Sequence, residues 1–237
     1  MAAPGVWSRA QPKGRSLIPW QHLDTATIPG GGELRLNQRG TEFSIMLGRI
    51  ELMNSRLSGS EEALATLSAA RIRSRRQPRI LIGGLGMGFT LRAALAGFGP
   101  DARIDVAELV PEVVAWARGP LAGVFGTCLD DPRVSIHVGD VGALMRAQRS
   151  AWDAILLDVD NGPTGLTRES NDDLYEMGGL AWARAALQPG GVLAVWSSGR
   201  DSVFTNRLRR AGFTVEEVMV RARVGKGARH NLWFATA

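Results

Sequence analysis

The sequence predicts an α/β fold: a mostly parallel, seven-stranded sheet with an antiparallel last strand, preceded by a small β-rich N-terminal appendage. Three observations carry this. After Pro78, short apolar runs alternate with segments of helical spacing, and parallel strands need such crossovers between them. The glycine-rich stretch Gly83-Gly84-Leu85-Gly86-Met87-Gly88 joins the first of those runs to its helix. The chain then ends in two strand-like runs, Phe213–Val220 and His230–Thr236, with only the loop GKGAR near them and no helix between. That implies an antiparallel final pair.

Each element follows from local pattern. Residues 1–28 hold Pro4, Pro12 and Pro19 with few apolar clusters and read as a loosely ordered arm. Residues 29–76 form a β-rich region with a linking helix. Its short alternating stretches are broken by Gly40 and Gly48, and Ser60 is a candidate N-cap for a helix bearing Leu64, Leu67 and Ile72, with acids in its first turn. Residues 77–237 are the third part. Ile80–Ile82 is its first strand, and Phe89, Leu91, Ala94, Leu95 and Phe98 recur at helical spacing. Strands follow at Ile104–Ala107, Val134–Val138, Ala154–Leu157 and Val192–Trp196. Pro111 opens one helix, a position where its missing donor costs nothing. Another helix spans Leu174–Leu187 and ends at Pro189-Gly190-Gly191, and a last one spans Ser202–Ala211.

Composition narrows the classes of function. Hydrophobic residues are 45% and charged residues 22% of the 237, and no apolar run reaches bilayer-spanning length. The N-terminal residues lack the apolar segment of a secretory signal, so a cytoplasmic protein is expected. With one cysteine, Cys128, and three dispersed histidines, no metal is expected. The net charge is +5, but the arginine runs at 71–79 and 207–210 have no interleaved aromatics and read as solvated helix faces. Nucleic acid is therefore not an expected partner.

Four polar markers stand at four consecutive strand ends. The glycine loop is either a nucleoside cradle or a tight turn without a ligand; Phe89 stands where a dinucleotide fingerprint needs a small residue, so the nicotinamide pattern fails. Gly83, Gly84, Gly86 and Gly88 are the candidate cofactor-binding glycines, because backbone can approach a ligand closely there. Glu108 ends the second strand, where a carboxylate can accept both ribose hydroxyls or simply be a turn residue. Asp140 after the third strand suits either an adenine amino group or a helix cap. Asp158 ends the fourth strand, with Asp160 two residues on. Ligands of open α/β sheets bind at these carboxyl ends, so the set together points to a Rossmann-like site for an S-adenosylmethionine-type cofactor. The final hairpin marks the sheet as methyltransferase-type rather than plain dinucleotide-binding.

The blocks ILIGGLGMG, IDVAELVPEVVAWAR, DDPRVSIHVGDVGALM, WDAILLDVDNGP and ALQPGGVLAVW resemble, in order and spacing, those of the spermidine synthase (polyamine aminopropyltransferase) family. The likeness covers roughly residues 77–200. It implies that Glu108 holds the ribose, that Asp140 holds the adenine and that Asp158 faces the attacking amine. Three departures accompany it. Met87 stands where the family's glycine loop carries an acid. The loop after Asp158 is two residues shorter, which leaves Asp160 as counterpart of the family's second acid. The family's tyrosine motif falls at Glu61 and Glu62, and Tyr175 is the only tyrosine in the chain. The resemblance implies aminopropyl transfer from decarboxylated S-adenosylmethionine to a small amine, by a cytoplasmic homodimer. Methyl transfer from intact S-adenosylmethionine and non-catalytic nucleoside binding on the same fold are the competing expectations.

Overall fold

The structure, a computed structural model, describes residues 18–159, 173–223 and 226–237. Four strands open it: β1 Gln21–Thr27, β2 Glu33–Arg39, β3 Glu42–Leu47 and β4 Ile50–Asn54, all antiparallel in the order β1-β2-β3-β4. Residues 21–27 thus form a paired strand inside the stretch read from sequence as an arm, because Leu23 and Ala26 have β2 to pack with. The rest of the arm, residues 1–17, lies outside the described residues.

The large sheet has the order β10-β11-β9-β8-β5-β6-β7. Its strands are β5 Arg79–Gly83, β6 Arg103–Glu108, β7 Val134–Val138, β8 Trp152–Leu157, β9 Leu187–Ser197, β10 Thr214–Arg223 and β11 Lys226–Thr236. From β7 to β9 all neighbours are parallel, and β11 is antiparallel to both β9 and β10. The central strand β5 is almost wholly apolar because both faces are covered. Ile80 and Ile82 point into one core and Leu81 into the other. Helices α1 Gly59–Arg71, α2 Phe89–Gly97, α3 Pro111–Arg118 and α4 Ala122–Phe125 precede α5 Val141–Ala147, α6 Met177–Ala186 and α7 Ser202–Arg210. No helix among the described residues is long and apolar enough to cross a membrane.

Some boundaries differ from the sequence reading, and each has a physical cause. α1 starts at Gly59 with Ser58 at its N-cap, so Ser60 sits inside the first turn, and its hydroxyl serves a side chain instead of the helix end. α6 stops at Ala186, and Leu187-Gln188-Pro189 already runs as strand. The following turn is held by backbone hydrogen bonds between Gly190 and Gly191 and the C-terminal Ala237. β11 takes in Lys226–Arg229, which the sequence placed in a loop, by pairing along β10. Several of the arginines read as solvated are engaged: Arg71 with Glu216 and over the Phe234 ring, Arg79 with Asp105, and Arg207 with Glu176.

Strand order reverses beside β5: the chain goes out through β6 and β7, then returns to β8 on the other side. The crevice at such a switch point is where a ligand is expected. The small sheet closes over it, tied down where Trp116 of α3 donates its indole N–H to Asp24 of β1 at 2.7 Å.

Candidate functional site

The glycine loop follows β5 directly. Gly83 is the last residue of β5, and its carbonyl accepts the Asp158 amide at 3.0 Å, which locks the β8 tip to the loop. Gly84 has φ +90°, and a Cβ there would lie 2.5 Å from the Asp158 carbonyl oxygen. This is a close approach of two backbones that only glycine allows. Gly86 has φ +51° and faces the Met53 side chain, while Gly88 is the N-cap of α2 against Phe125.

Glu108 is buried at the end of β6. One oxygen accepts the Leu85 amide at 2.9 Å and the other the Val110 amide at 2.9 Å. The carboxylate therefore fastens the glycine loop to its own turn, a role the sequence reading did not foresee. Burial pushes its pKa up, against the pull of these amide donors. Removing it should leave two buried amides unpaired, at roughly 1–3 kcal/mol each. Glu108→Ala is expected to lower the melting temperature by several degrees in a thermal unfolding experiment; an unchanged melt would show that the staple is unimportant.

Asp140 caps α5: its oxygens accept from the Gly142 and Ala143 amides at 2.9 and 3.1 Å, and Arg146 lies 3.6 Å away. Of the two roles left open by the sequence, the cap is the one seen. Its side chain also lines a cavity of about 110 Å³. Strand tips supply Gly84, Glu108 and Asp140 on one wall, and the small sheet, with Ile28 just past β1, supplies Leu34 and Ile45 on the other. This apolar roof was not legible in the sequence as part of the site.

A second cavity, of about 70 Å³, adjoins the first; Leu52, Met53, Gly86 and Asp158 line both. Glu61, Leu85, Met87, Phe89 and Trp196 complete it. Asp158 sits at the junction. Thr90 Oγ1 donates to its Oδ2 at 2.6 Å. Burial first, then the charge of Glu61, push its pKa up to about 7, against the Thr90 hydrogen bond. Glu61 is also raised, mainly by burial, and is opposed by the Ser60 hydroxyl, which donates to it at 2.6 Å.

Sequence reasoning missed Glu61 as a site residue. The acid pair at 61 and 62 was visible, but nothing local says that α1 aims its first turn at the tip of β8. Asp160 lies outside the described residues. The hydroxyl of Tyr175 donates to the Val159 carbonyl at 3.4 Å, beside Asp158. No cluster of three or more potential metal ligands occurs among the described residues.

The sheet order, the glycine loop and the acids at successive strand tips define the class: an α/β fold of the class I methyltransferase-like type. The comparisons with known proteins narrow it. The chain is similar to members of the spermidine synthase family. It is 30% identical over 145 residues to a polyamine aminopropyltransferase of Mycobacterium tuberculosis, an alignment covering 57% of this chain and 27% of that protein. It is 34% identical over 116 residues to putrescine N-methyltransferase 4 of Nicotiana tabacum, covering 48% of this chain and 28% of that one. The chain thus matches about a quarter of the length of these curated relatives. A spermidine synthase structure in complex with the transition state analogue AdoDATO superposes with a TM-score of 0.73 at 18% identity, covering 98% of this chain and 83% of that chain. The spermidine synthase of Thermotoga maritima gives 0.68 at 16%, covering 98% and 82%. No protein-family model matches the chain.

Proposed function

We propose that the chain is an aminopropyltransferase that moves the aminopropyl group of decarboxylated S-adenosylmethionine to a small amine. The observation that carries this is a half-buried carboxylate, Asp158, at the junction of two cavities of different character. The larger, apolar one suits a nucleoside; the smaller one, with two acids, suits an ammonium group. In this reading the ribose hydroxyls donate to the lone pairs of Glu108 left over by its amide donors, and the adenine amino group donates to Asp140. Asp158 accepts a proton from the bound ammonium group. The freed nitrogen attacks the carbon beside sulfur, the C–S bond breaks with its electron pair staying on sulfur, and a neutral thioether leaves. A base with a pKa near 7 is matched to this task at neutral pH. Turnover should therefore be lost as pH falls through about 7, where Asp158 takes up its proton.

The experiment supplies decarboxylated or intact S-adenosylmethionine with a panel of primary amines and identifies products by mass. Aminopropylated amine supports the proposal. Methylated amine would replace it by methyl transfer, and binding of both donors without consumption would leave a nucleoside-binding module. The family likeness carries two further expectations, a homodimer, which light scattering of the purified protein tests, and a cytoplasmic location.

Asp140 offers a separate check, since capping and adenine binding can be split. Asp140→Ser keeps an oxygen that caps α5 but is too short and uncharged to serve the adenine. The expected result is a melting temperature near that of the parent with nucleoside affinity reduced about tenfold, the effect of roughly one charged hydrogen bond. Unchanged affinity by calorimetry would confine Asp140 to its cap.

A further inference from the structure

Behind the acid pair runs a file of hydrogen bonds that crosses three elements. Ser60 is completely buried, and its hydroxyl lies 2.6 Å from Glu61 Oε2 and 2.8 Å from His230 Nδ1. A hydroxyl has one hydrogen. Since Glu61 receives it, the contact with His230 is filled from the other side: Nδ1–H donates to the Ser60 oxygen, which fixes the neutral Nδ1–H tautomer. Burial of His230 favours that neutral form. Its ring stands edge-on to Trp196, centroids 4.8 Å apart, and Trp196 lines the same small cavity as Glu61 and Asp158.

We propose that Ser60, oriented by His230, keeps Glu61 ionised beside Asp158, so that Glu61 docks the acceptor's ammonium group while Asp158 takes its proton. Two carboxylates in one small cavity do not both stay charged at neutral pH. Glu61 has the serine–histidine file behind it, so in the empty cavity the shared proton sits on Asp158; it passes to solvent when the ammonium group arrives, which leaves Asp158 free to accept the ammonium's proton. Division of labour follows. An ammonium group in a cavity otherwise walled by Leu52, Met87 and Phe89 needs a fixed counter-charge. A base that must take up a proton during the reaction cannot also be that charge. Besides the pair, the groups facing it are Glu62 on α1, Thr90 from α2, Trp196 from β9 and His230 from β11. The leading charges acting on the pair are acids, Glu62 on Glu61 and Glu61 on Asp158.

This deepens the aminopropyltransferase reading and rests on it for the chemistry, but it can be tested by binding alone. The probe is propylamine, titrated calorimetrically into the protein saturated with methylthioadenosine, in buffers of different ionisation heat between pH 5 and 8. In the parent protein, binding should release a proton from Asp158, with a midpoint near its pKa of about 7. Glu61→Gln removes the charge that raises Asp158. The midpoint should fall by about one pH unit, and amine affinity at pH 8 by about tenfold, as one lost ion pair in a dry cavity predicts. Ser60→Ala and His230→Leu should shift the midpoint in the same direction by less, and His230→Gln, which keeps an N–H donor, should restore it. An unmoved midpoint and unchanged affinity in Glu61→Gln would overturn the proposal, as would failure of the parent protein to bind the amine. Amine binding with the expected shifts but no transfer from either donor would refute the aminopropyl reading alone. Transfer that is indifferent to Glu61 would refute this one alone.

Discussion

Asp158→Asn should reduce aminopropyl transfer by about 100-fold or more, the usual scale for a lost general base, while making the protein more stable. The two effects have one origin. The carboxyl is half-buried next to Glu61, and its pKa rises from 3.8 to about 7. Above pH 7 it is ionised in both the folded and the unfolded chain, so the folded state bears the full cost of that charge. As pH drops from 7 towards 4, the folded chain takes up the proton before the unfolded one does, and the cost disappears. Asparagine has no charge to bury, and its carbonyl oxygen can still accept from Thr90. The variant should thus melt higher than the parent at pH 8, a stabilisation on the order of a few kcal/mol, and the gap should close near pH 4. Nucleoside affinity should change little. Thermal unfolding at two pH values, with single-turnover assays at pH 8, checks both halves. A variant that keeps its turnover, or one that melts lower at pH 8, would remove Asp158 from the role of base.

That opposition between stability and activity was not visible in the sequence, although most of the frame was. Regular alternation after Pro78 was enough for the parallel sheet, and two late apolar runs without an intervening helix were enough for the antiparallel β11. These are local signals with a strong period. The strand-tip markers were legible for a related reason: in a parallel sheet all carboxyl ends share one edge, so residues distant in sequence are brought together by topology alone. What sequence could not supply were partners set by packing. Glu108 looked like a free carboxylate, yet its oxygens are occupied by the amides of Leu85 and Val110. Glu61 looked like an ordinary first-turn acid, and its meaning depends on the angle at which α1 meets β8. His230 looked like a strand residue and lies against Ser60, 170 positions earlier. The extent of β1 was missed because a strand at a sheet edge, exposed over most of its length, carries little apolar alternation.

The glycine loop provides the sharpest contrast between neighbouring positions. Gly84→Ala should destabilise the whole protein, because its Cβ would stand 2.5 Å from the Asp158 carbonyl oxygen at φ +90°. Neither partner can retreat. Gly84 donates to the Ala107 carbonyl at 2.9 Å, and the Asp158 amide is bonded to Gly83 at 3.0 Å, so moving either chain breaks the pairing of β5 with its neighbours. A loss of about 2–4 kcal/mol is expected, the range for backbone strain combined with overpacking. Gly86→Val differs in kind. There φ is +51°, and the nearest atom is the Met53 sulfur at 3.0 Å, at the end of a side chain that can swing aside. The strain of a β-branched residue at positive φ remains, roughly 1–3 kcal/mol, which a domain of this size can survive. The added methyl groups, however, enter the two cavities that Gly86 lines. The expected outcome is a folded protein whose affinity for methylthioadenosine falls below detection, whereas Gly84→Ala should lose fold and binding together on denaturant titration. Should Gly86→Val bind the nucleoside as the parent does, the ligand does not pass over this loop, and the larger cavity is not its site.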